Sequence, residues 1–413
     1  MSQPARRHAM KKRAALSVMA SAAAAAMWPM ATLAQAPTEI RIGAPISLTG
    51  QLAADGLDQK WAYEQAVADI NAKGGIMIKK AGKKLPVKLV IADDQSDPAK
   101  VTDAMERLIK IEKVDLLLST HGGDLNMAGA LAAEKYKKFY MITTMWPHMW
   151  TPKKFKWSAL FFFDAGGGAE VPFMIWETLP EKERPKKPAL VMEDSPDGQG
   201  FGGVFKAMAK KHKVNLVMDE PWAMGAKDYS AYILKMKARG ADAVLLFGNP
   251  VDAITLVRQM KEQNFSVPYL HGWKGTWPYE FREALGDSSN YVLADGFWSM
   301  DYPYPGAKDL GERYMKEHNN KSNTSVGMFY ANAQVLLKAI ENTGTVDSKA
   351  VHDAIVGKAF KGTVQGDVKF DAAGLALITS TANQWWNGRH MLVYPHQKGG
   401  WSLKLAPPWD QRK

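Results

Sequence analysis

Gly198-Gln199-Gly200-Phe201-Gly202-Gly203 has the G-x-G-x-x-G spacing with which a backbone cradles a dinucleotide pyrophosphate. Its surroundings argue against that chemistry. A dinucleotide loop needs its first glycine directly after a strand, so that phosphate meets the N-terminus of the following helix. Here residues 193–197 intervene, and the acids among them, Glu193, Asp194 and Asp197, would repel phosphate. The glycines are read instead as a loop facing some other ligand. Asp93, Asp94 and Asp97 have the types for a metal site or for acid–base work, but their spacing suggests structure. Asp97 stands before Pro98 as a helix N-cap followed by proline at the first helical position, and Asp93 and Asp94 end a strand beside it. The nine histidines are scattered, with none at metal-ligand spacing from another. No nucleophile elbow, H-E-x-x-H helix or G-x-x-x-x-G-K-[ST] loop occurs. The chain is therefore read as having no catalytic residues, no metal and no cofactor: it is not an enzyme.

The absence of cysteine excludes disulfides, thiolate metal sites and cysteine nucleophiles, and with them a lipid attached through a processed N-terminal cysteine. Residues 1–36 carry Arg6, Arg7, Lys11, Lys12 and Arg13 ahead of an uncharged alanine-rich run and a small-residue end, Ala31-Thr32-Leu33-Ala34-Gln35-Ala36. That order is a secretory signal peptide, with cleavage expected after Ala34 or Ala36. The run is too short for a membrane span, and no later apolar stretch exceeds strand length. The expected location is the periplasm, without a lipid anchor. Setting aside those five basic residues lowers the formal charge from +11 to +6. The densest basic stretch, residues 182–187, is broken by Glu183 and Pro185 and reads as a solvated loop, so no nucleic-acid partner is expected.

Residues that bind must be positioned by elements, and after residue 36 strands and helices alternate. Strands are expected at 40–44, 87–92, 114–119 and 140–143, with helices at 60–73, 98–112 and 124–137. Gly74-Gly75 closes the first helix. The series restarts with strands at 189–192, 214–217, 243–247 and 269–270 and helices at 201–211, 229–239 and 251–264. Short strands alternating with helices of this length imply parallel sheets covered on both faces, and two series imply two doubly wound α/β lobes.

Ile42-Gly43-Ala44-Pro45-Ile46-Ser47-Leu48-Thr49-Gly50, then Ala66-Val67-Ala68-Asp69-Ile70-Asn71-Ala72-Lys73-Gly74-Gly75-Ile76, then Asp93-Asp94-Gln95-Ser96-Asp97-Pro98 resemble the leucine/isoleucine/valine-binding family, solute-binding proteins of bacterial ABC importers. Asp194-Ser195-Pro196-Asp197-Gly198-Gln199-Gly200 and Lys227-Asp228-Tyr229-Ser230 continue the match. The resemblance implies the type I periplasmic binding protein fold, two parallel-sheet lobes joined by three hinge crossovers near 155–159, 297–301 and 378–384. Lobe 1 would hold residues 37–157 and 300–380, and lobe 2 residues 158–299 and 381–413.

The resemblance also implies where a ligand sits, outside the carboxyl ends of the strands. His121, Gly122 and Gly123 occupy a loop where amino-acid binders hold a carboxylate with hydroxyls and backbone N–H groups, and Asp124 is expected to cap the helix that follows. Thr143, Thr144 and Trp146 match the next strand-end loop; Asp197 and Asn249 match positions in lobe 2. In His271-Gly272-Trp273-Lys274-Gly275 the chain departs from the family. Lys274 stands where amino-acid binders place an acid for the ligand's ammonium, and a lysine facing the ligand favours an anion. Trp146, Trp150, Trp273 and Trp277 crowd these loops and would suit a ring-bearing or apolar body. The expected function is a monomeric periplasmic binding protein that delivers a small organic anion, an aromatic carboxylate among the candidates, to an inner-membrane ABC permease. An amide or branched-chain amino acid as solute, or a sensor serving a membrane signalling protein, are the alternatives.

Overall fold

The computed structural model describes residues 37–412. The signal-peptide reading of residues 1–36 lies outside the described residues. Apolar strand centres and amphipathic helices assemble into two main sheets. The first, six-stranded and wholly parallel, runs in the order Leu375–Leu377, Ser158–Phe162, Tyr140–Ile142, Leu116–Leu118, Ile40–Ile46, Val87–Asp93. Leu116–Leu118, Tyr140–Ile142 and Ser158–Phe162 are buried at every position, as strands covered on both faces must be. Helices Ala53–Ala72 and Val326–Thr343 pack together over this sheet. The first begins earlier than its apolar periodicity suggests. Gly56 lies so close to the loop after the first strand that a Cβ there would fall 1.9 Å from the Ser47 carbonyl oxygen.

The second sheet runs Arg389–Tyr394, Thr381–Trp386, Leu293–Gly296, Tyr269–Lys274, Ala243–Gly248, Pro188–Glu193, Met218–Trp222. Its last five strands are parallel, and the two C-terminal strands add an antiparallel edge. The two sheets give the doubly wound α/β architecture expected. The strand placed at 214–217 forms at Met218–Trp222 instead, where it alternates buried Met218 and Trp222 with exposed Asp219. An edge strand needs only one apolar face, so a run of apolar residues is a poor marker for it. Val214 and Leu216 pack against the core from the connection before it.

The chain changes sheet three times. Strand Ser158–Phe162, set beyond the first crossover by the sequence reading, pairs in the first sheet. The change comes after Phe162, at helix Ala165–Thr178, whose apolar face joins the second sheet's core. Trp150, just before strand Ser158–Phe162, also belongs to the first core: it is buried and donates to the Ser158 hydroxyl at 3.0 Å. The other changes follow Gly296 and Leu377. Phe297 and Trp298 then enter the first core, both N–H groups donating to the Thr324 carbonyl.

Candidate ligand-binding site

Between the carboxyl ends of the two sheets lies a cavity of about 390 Å³. Its volume falls within the usual range for small-molecule sites. On the first sheet's side, strand Tyr140–Ile142 ends in Thr143 and Thr144, and strand Leu116–Leu118 leads to Thr120-His121-Gly122, after which helix Gly123–Tyr136 begins. Gly122, at φ 96°, turns the chain into the helix in a conformation that L side chains rarely adopt. The helix starts at Gly123, so Asp124 is a first-turn residue, exposed, and not the cap. The Thr144 hydroxyl accepts from the Gly122 N–H at 3.2 Å and from Asn126 Nδ2 at 3.3 Å, tying the two loops into one wall. The helix's first N–H groups have no partner within the helix and face a site where negative charge is favoured. His121 stands beside them, its Nε2 3.9 Å from an Asp55 oxygen and its Nδ1 without a partner.

Beneath this wall is a buried polar network. Asp94 accepts from Ser47 Oγ at 2.6 Å, from the Thr120 hydroxyl and from the Ser96 N–H. Asp93 holds the N–H groups of Leu48, Thr49 and Gln95. These carboxylates and the Asp97 cap, which accepts from Ala99 and Lys100, are structural, as their spacing indicates. Thr143 belongs to this layer rather than to the cavity. It is fully buried and its hydroxyl donates to the Phe161 carbonyl at 2.9 Å, so a direct ligand contact through its side chain is corrected to a strand-to-strand tie.

The second sheet's side is aromatic and acidic. Phe247 and Trp273 end neighbouring strands, and Phe201 stacks on Phe247 with ring centroids 4.7 Å apart. Trp273 is sandwiched against His271 at 4.0 Å and Phe205 at 4.5 Å, which leaves it 1% exposed. Burial pushes the His271 imidazole down to about 3, so it is neutral in the fold. Trp146 reaches across from the first sheet to Phe201 at 5.8 Å, and Trp277 packs on Phe297 at 5.0 Å. His121, Gly122, Gly123, Thr144, Trp146, Asp197, Asn249, Trp273, Lys274 and Trp277 all line the cavity. Trp150 does not; it is a core residue. Sequence reading passed over Phe162, Phe163, Phe247, Phe297 and Asp295, although each sits at or just past a strand's carboxyl end, the position that should have drawn attention to them.

Lys274 is not a free cation. Its Nζ lies 2.7 Å from Glu193 Oε1 and 3.5 Å from Asp197 Oδ2, and Glu193 is 1% exposed. Burial raises the Asp197 carboxyl, with Lys274 opposing that shift and Glu193 adding to it. The lysine charge is thus met inside the protein. Lys274 itself holds a left-handed backbone at φ 66°, and Thr144 does so at φ 53° on the opposite wall. Such conformations cost of order 1–3 kcal/mol each and cluster at functional sites.

The G-x-G-x-x-G glycines are not a loop. They lie in helix Pro196–Lys211, which is capped by Ser195 Oγ accepting from the Gly198 N–H at 3.0 Å. A Cβ on Gly198 would meet the Glu193 carbonyl oxygen at 2.1 Å, and one on Gly202 the Met192 sulfur at 2.2 Å. Two of the glycines therefore serve close helix-to-strand packing.

Beside the cavity a second hollow of about 510 Å³ shares Asp55, Trp277 and Glu280 with it. Asp58 lines that hollow, accepting from Tyr314 and Asn323 at 2.6 Å each, and burial pushes its carboxyl up to about 7.

The model of the periplasmic binding protein family matches residues 39–383. Leu/Ile/Val-binding protein homolog 7 of Brucella melitensis is 24% identical over 406 residues, spanning 89% of this chain and 94% of that protein. Among solved structures, the branched-chain amino acid transporter substrate binding protein LivJ of Streptococcus pneumoniae, in complex with isoleucine, superposes with a TM-score of 0.72 at 22% identity. It covers 86% of this chain and 100% of its own. A solute binding protein of an ABC transporter from Rhodopseudomonas palustris, in complex with 3,4-dihydroxybenzoic acid, gives 0.68 at 17% identity, covering 84% and 93%. At those identities the solved structures speak for the fold alone. The match over most of the chain, the two largely parallel sheets and the three changes of sheet agree: the chain belongs to the periplasmic binding protein family and has its type I fold.

Proposed function

We propose that this chain is the exported, periplasmic solute-binding component of an ABC importer, a monomer that traps a small carboxylate with a ring or bulky apolar body and presents it to an inner-membrane permease. It is a binding protein rather than an enzyme. The observation that carries this reading is the make-up of the cavity: aromatic walls with a helix N-terminus at one end. The carboxylate belongs at that end, on the N–H groups around Gly122 and Gly123, with the Thr144 hydroxyl and His121 beside them. Trp146, Phe162, Phe201 and Trp277 enclose the body. Lys274 does not supply the anion's counter-charge, because Glu193 and Asp197 already meet it.

That neutralisation favours a second reading. With acids at the second sheet's end, a zwitterionic amino acid would also find a place for its ammonium group. A thermal-shift screen of the full chain against benzoates, branched-chain and aromatic amino acids, and amides separates the two. A ligand at 100 times its Kd adds roughly 2.7 kcal/mol to stability, a readable shift. Stabilisation by aromatic acids and not by leucine supports the first reading, and the reverse supports the second. A chain stabilised by no solute, but found with a membrane signalling protein, would point to sensing.

A further inference from the structure

Asp295 stands out from the other acids that line the cavity, Asp55, Asp197 and Glu280. It is 2% exposed, yet it lines the hollow, and its Oδ1 has no hydrogen-bond partner. An orphaned carboxyl oxygen buried this deeply is costly unless something outside the chain completes it. It sits in strand Leu293–Gly296, on the wall opposite the Gly122–Gly123 helix start. Its neighbour across the strand ends is Lys274, whose charge Glu193 and Asp197 already take up.

We propose that Asp295 is a specificity-determining residue that takes a hydrogen-bond donor, a hydroxyl, on the far side of the ring from the solute's carboxylate. This rests on the ring-bearing carboxylate reading above and narrows it to hydroxylated aromatic acids. A hydroxyl fits because it donates through its hydrogen to the Asp295 oxygen and accepts through its own oxygen. A second carboxylate does not fit, since it would face Asp197 and Asp295 with no uncommitted cation on that wall. Burial holds the Asp295 carboxyl well above the usual carboxylate range against the opposing N–H groups of Lys274 and of Asp295 itself. A neutral hydroxyl partner is compatible with that state and a cationic one is not required.

Titration calorimetry on the full chain with benzoate, 4-hydroxybenzoate, 4-fluorobenzoate, terephthalate and leucine tests this. Expected are binding of 4-hydroxybenzoate about tenfold or more tighter than benzoate, no gain from fluorine, which matches the hydroxyl in size but donates nothing, and no binding of terephthalate. Asp295→Leu should abolish the tenfold preference between the two acids, and Asp295→Asn should keep most of it. Equal affinity for benzoate and 4-hydroxybenzoate in the parent, or a preference that survives in Asp295→Leu, overturns the assignment while leaving the carboxylate reading in place. Leucine binding with no benzoate bound overturns that reading itself. Should Asp295→Leu fail to fold, the fluorine comparison in the parent decides: 4-fluorobenzoate binding as tightly as 4-hydroxybenzoate overturns the assignment.

Discussion

Lys274 illustrates how a residue's charge depends on its company. Its position suggested a cation for an anionic solute, yet its ammonium is held by Glu193, which is itself buried. Removing one partner of such a pair leaves an uncompensated charge, and for fully buried pairs this costs roughly 3–5 kcal/mol. Lys274 is about one-third exposed, so Lys274→Met should cost less, about 2–3 kcal/mol in urea unfolding, and the further change Glu193→Gln should recover most of it. A single variant as stable as the parent would return Lys274 to the ligand. Asp58 makes a second residue-level prediction. Its unfolded carboxyl titrates near 3.8 and its folded one at about 7, so folding takes up a proton between those values. Stability from this group is complete below about pH 4 and falls as pH rises through 7. Asp58→Asn should therefore raise the melting temperature at pH 8, by an amount equivalent to about 1–2 kcal/mol, and make little difference at pH 4. A variant destabilised equally at both pH values would show that the hydrogen bonds from Tyr314 and Asn323 outweigh burial.

At the scale of elements, the glycine-rich start of helix Pro196–Lys211 separates packing from ligand chemistry. Gly202 abuts Met192, whereas a Cβ at Gly203 meets nothing within 4 Å. Gly203→Ala should stabilise the chain by about 0.5–1 kcal/mol, as alanine does at open helical positions. Gly202→Ala should destabilise it by about 1–3 kcal/mol through overpacking. Thermal unfolding of the two variants checks the contrast. Loss of solute binding in Gly203→Ala, without loss of stability, would restore a ligand role to the motif. Other elements show how local readings succeed and fail. Pro98 after Asp97 and the paired glycines at 74 and 75, with φ 87° and 82°, act as their spacing indicates because caps are built from neighbours in sequence. Strand Met218–Trp222 falls later than the 214–217 expected for it because its register depends on Pro188–Glu193, some thirty residues away.

For the whole molecule, the cleft is bounded by two separately cored sheets, and Ser322 Oγ and His390 join the two sides in buried hydrogen bonds of 2.9 and 3.0 Å. Trp146 meets Phe201, and Lys321 pairs with Glu283 at 2.7 Å between partly exposed side chains. An exposed ion pair of this kind contributes about 0–1 kcal/mol, too little to hold the lobes together alone. A solute that binds the closed arrangement better should therefore shift the population toward it, with bending confined to the segments after Phe162, Gly296 and Leu377. Small-angle scattering should give a smaller radius of gyration with solute than without. Identical radii, with solute shown to be bound, would favour a preformed pocket.

Alternation of short apolar strands with helices settled the class of fold, because each element's buried face is written in its own few residues. Ordered motifs such as Gly43-Ala44-Pro45-Ile46 and Asp93-Asp94 marked the family, and strand-end positions marked part of the cavity wall. What only the tertiary structure decided was which polar groups are spent. Thr143 turned its hydroxyl to Phe161, Lys274 found Glu193 eighty-one residues earlier, and Asp295 was left with an oxygen unmet. Those outcomes depend on distances between residues far apart in the chain, and at such range the charge of a side chain says little until its partners are known.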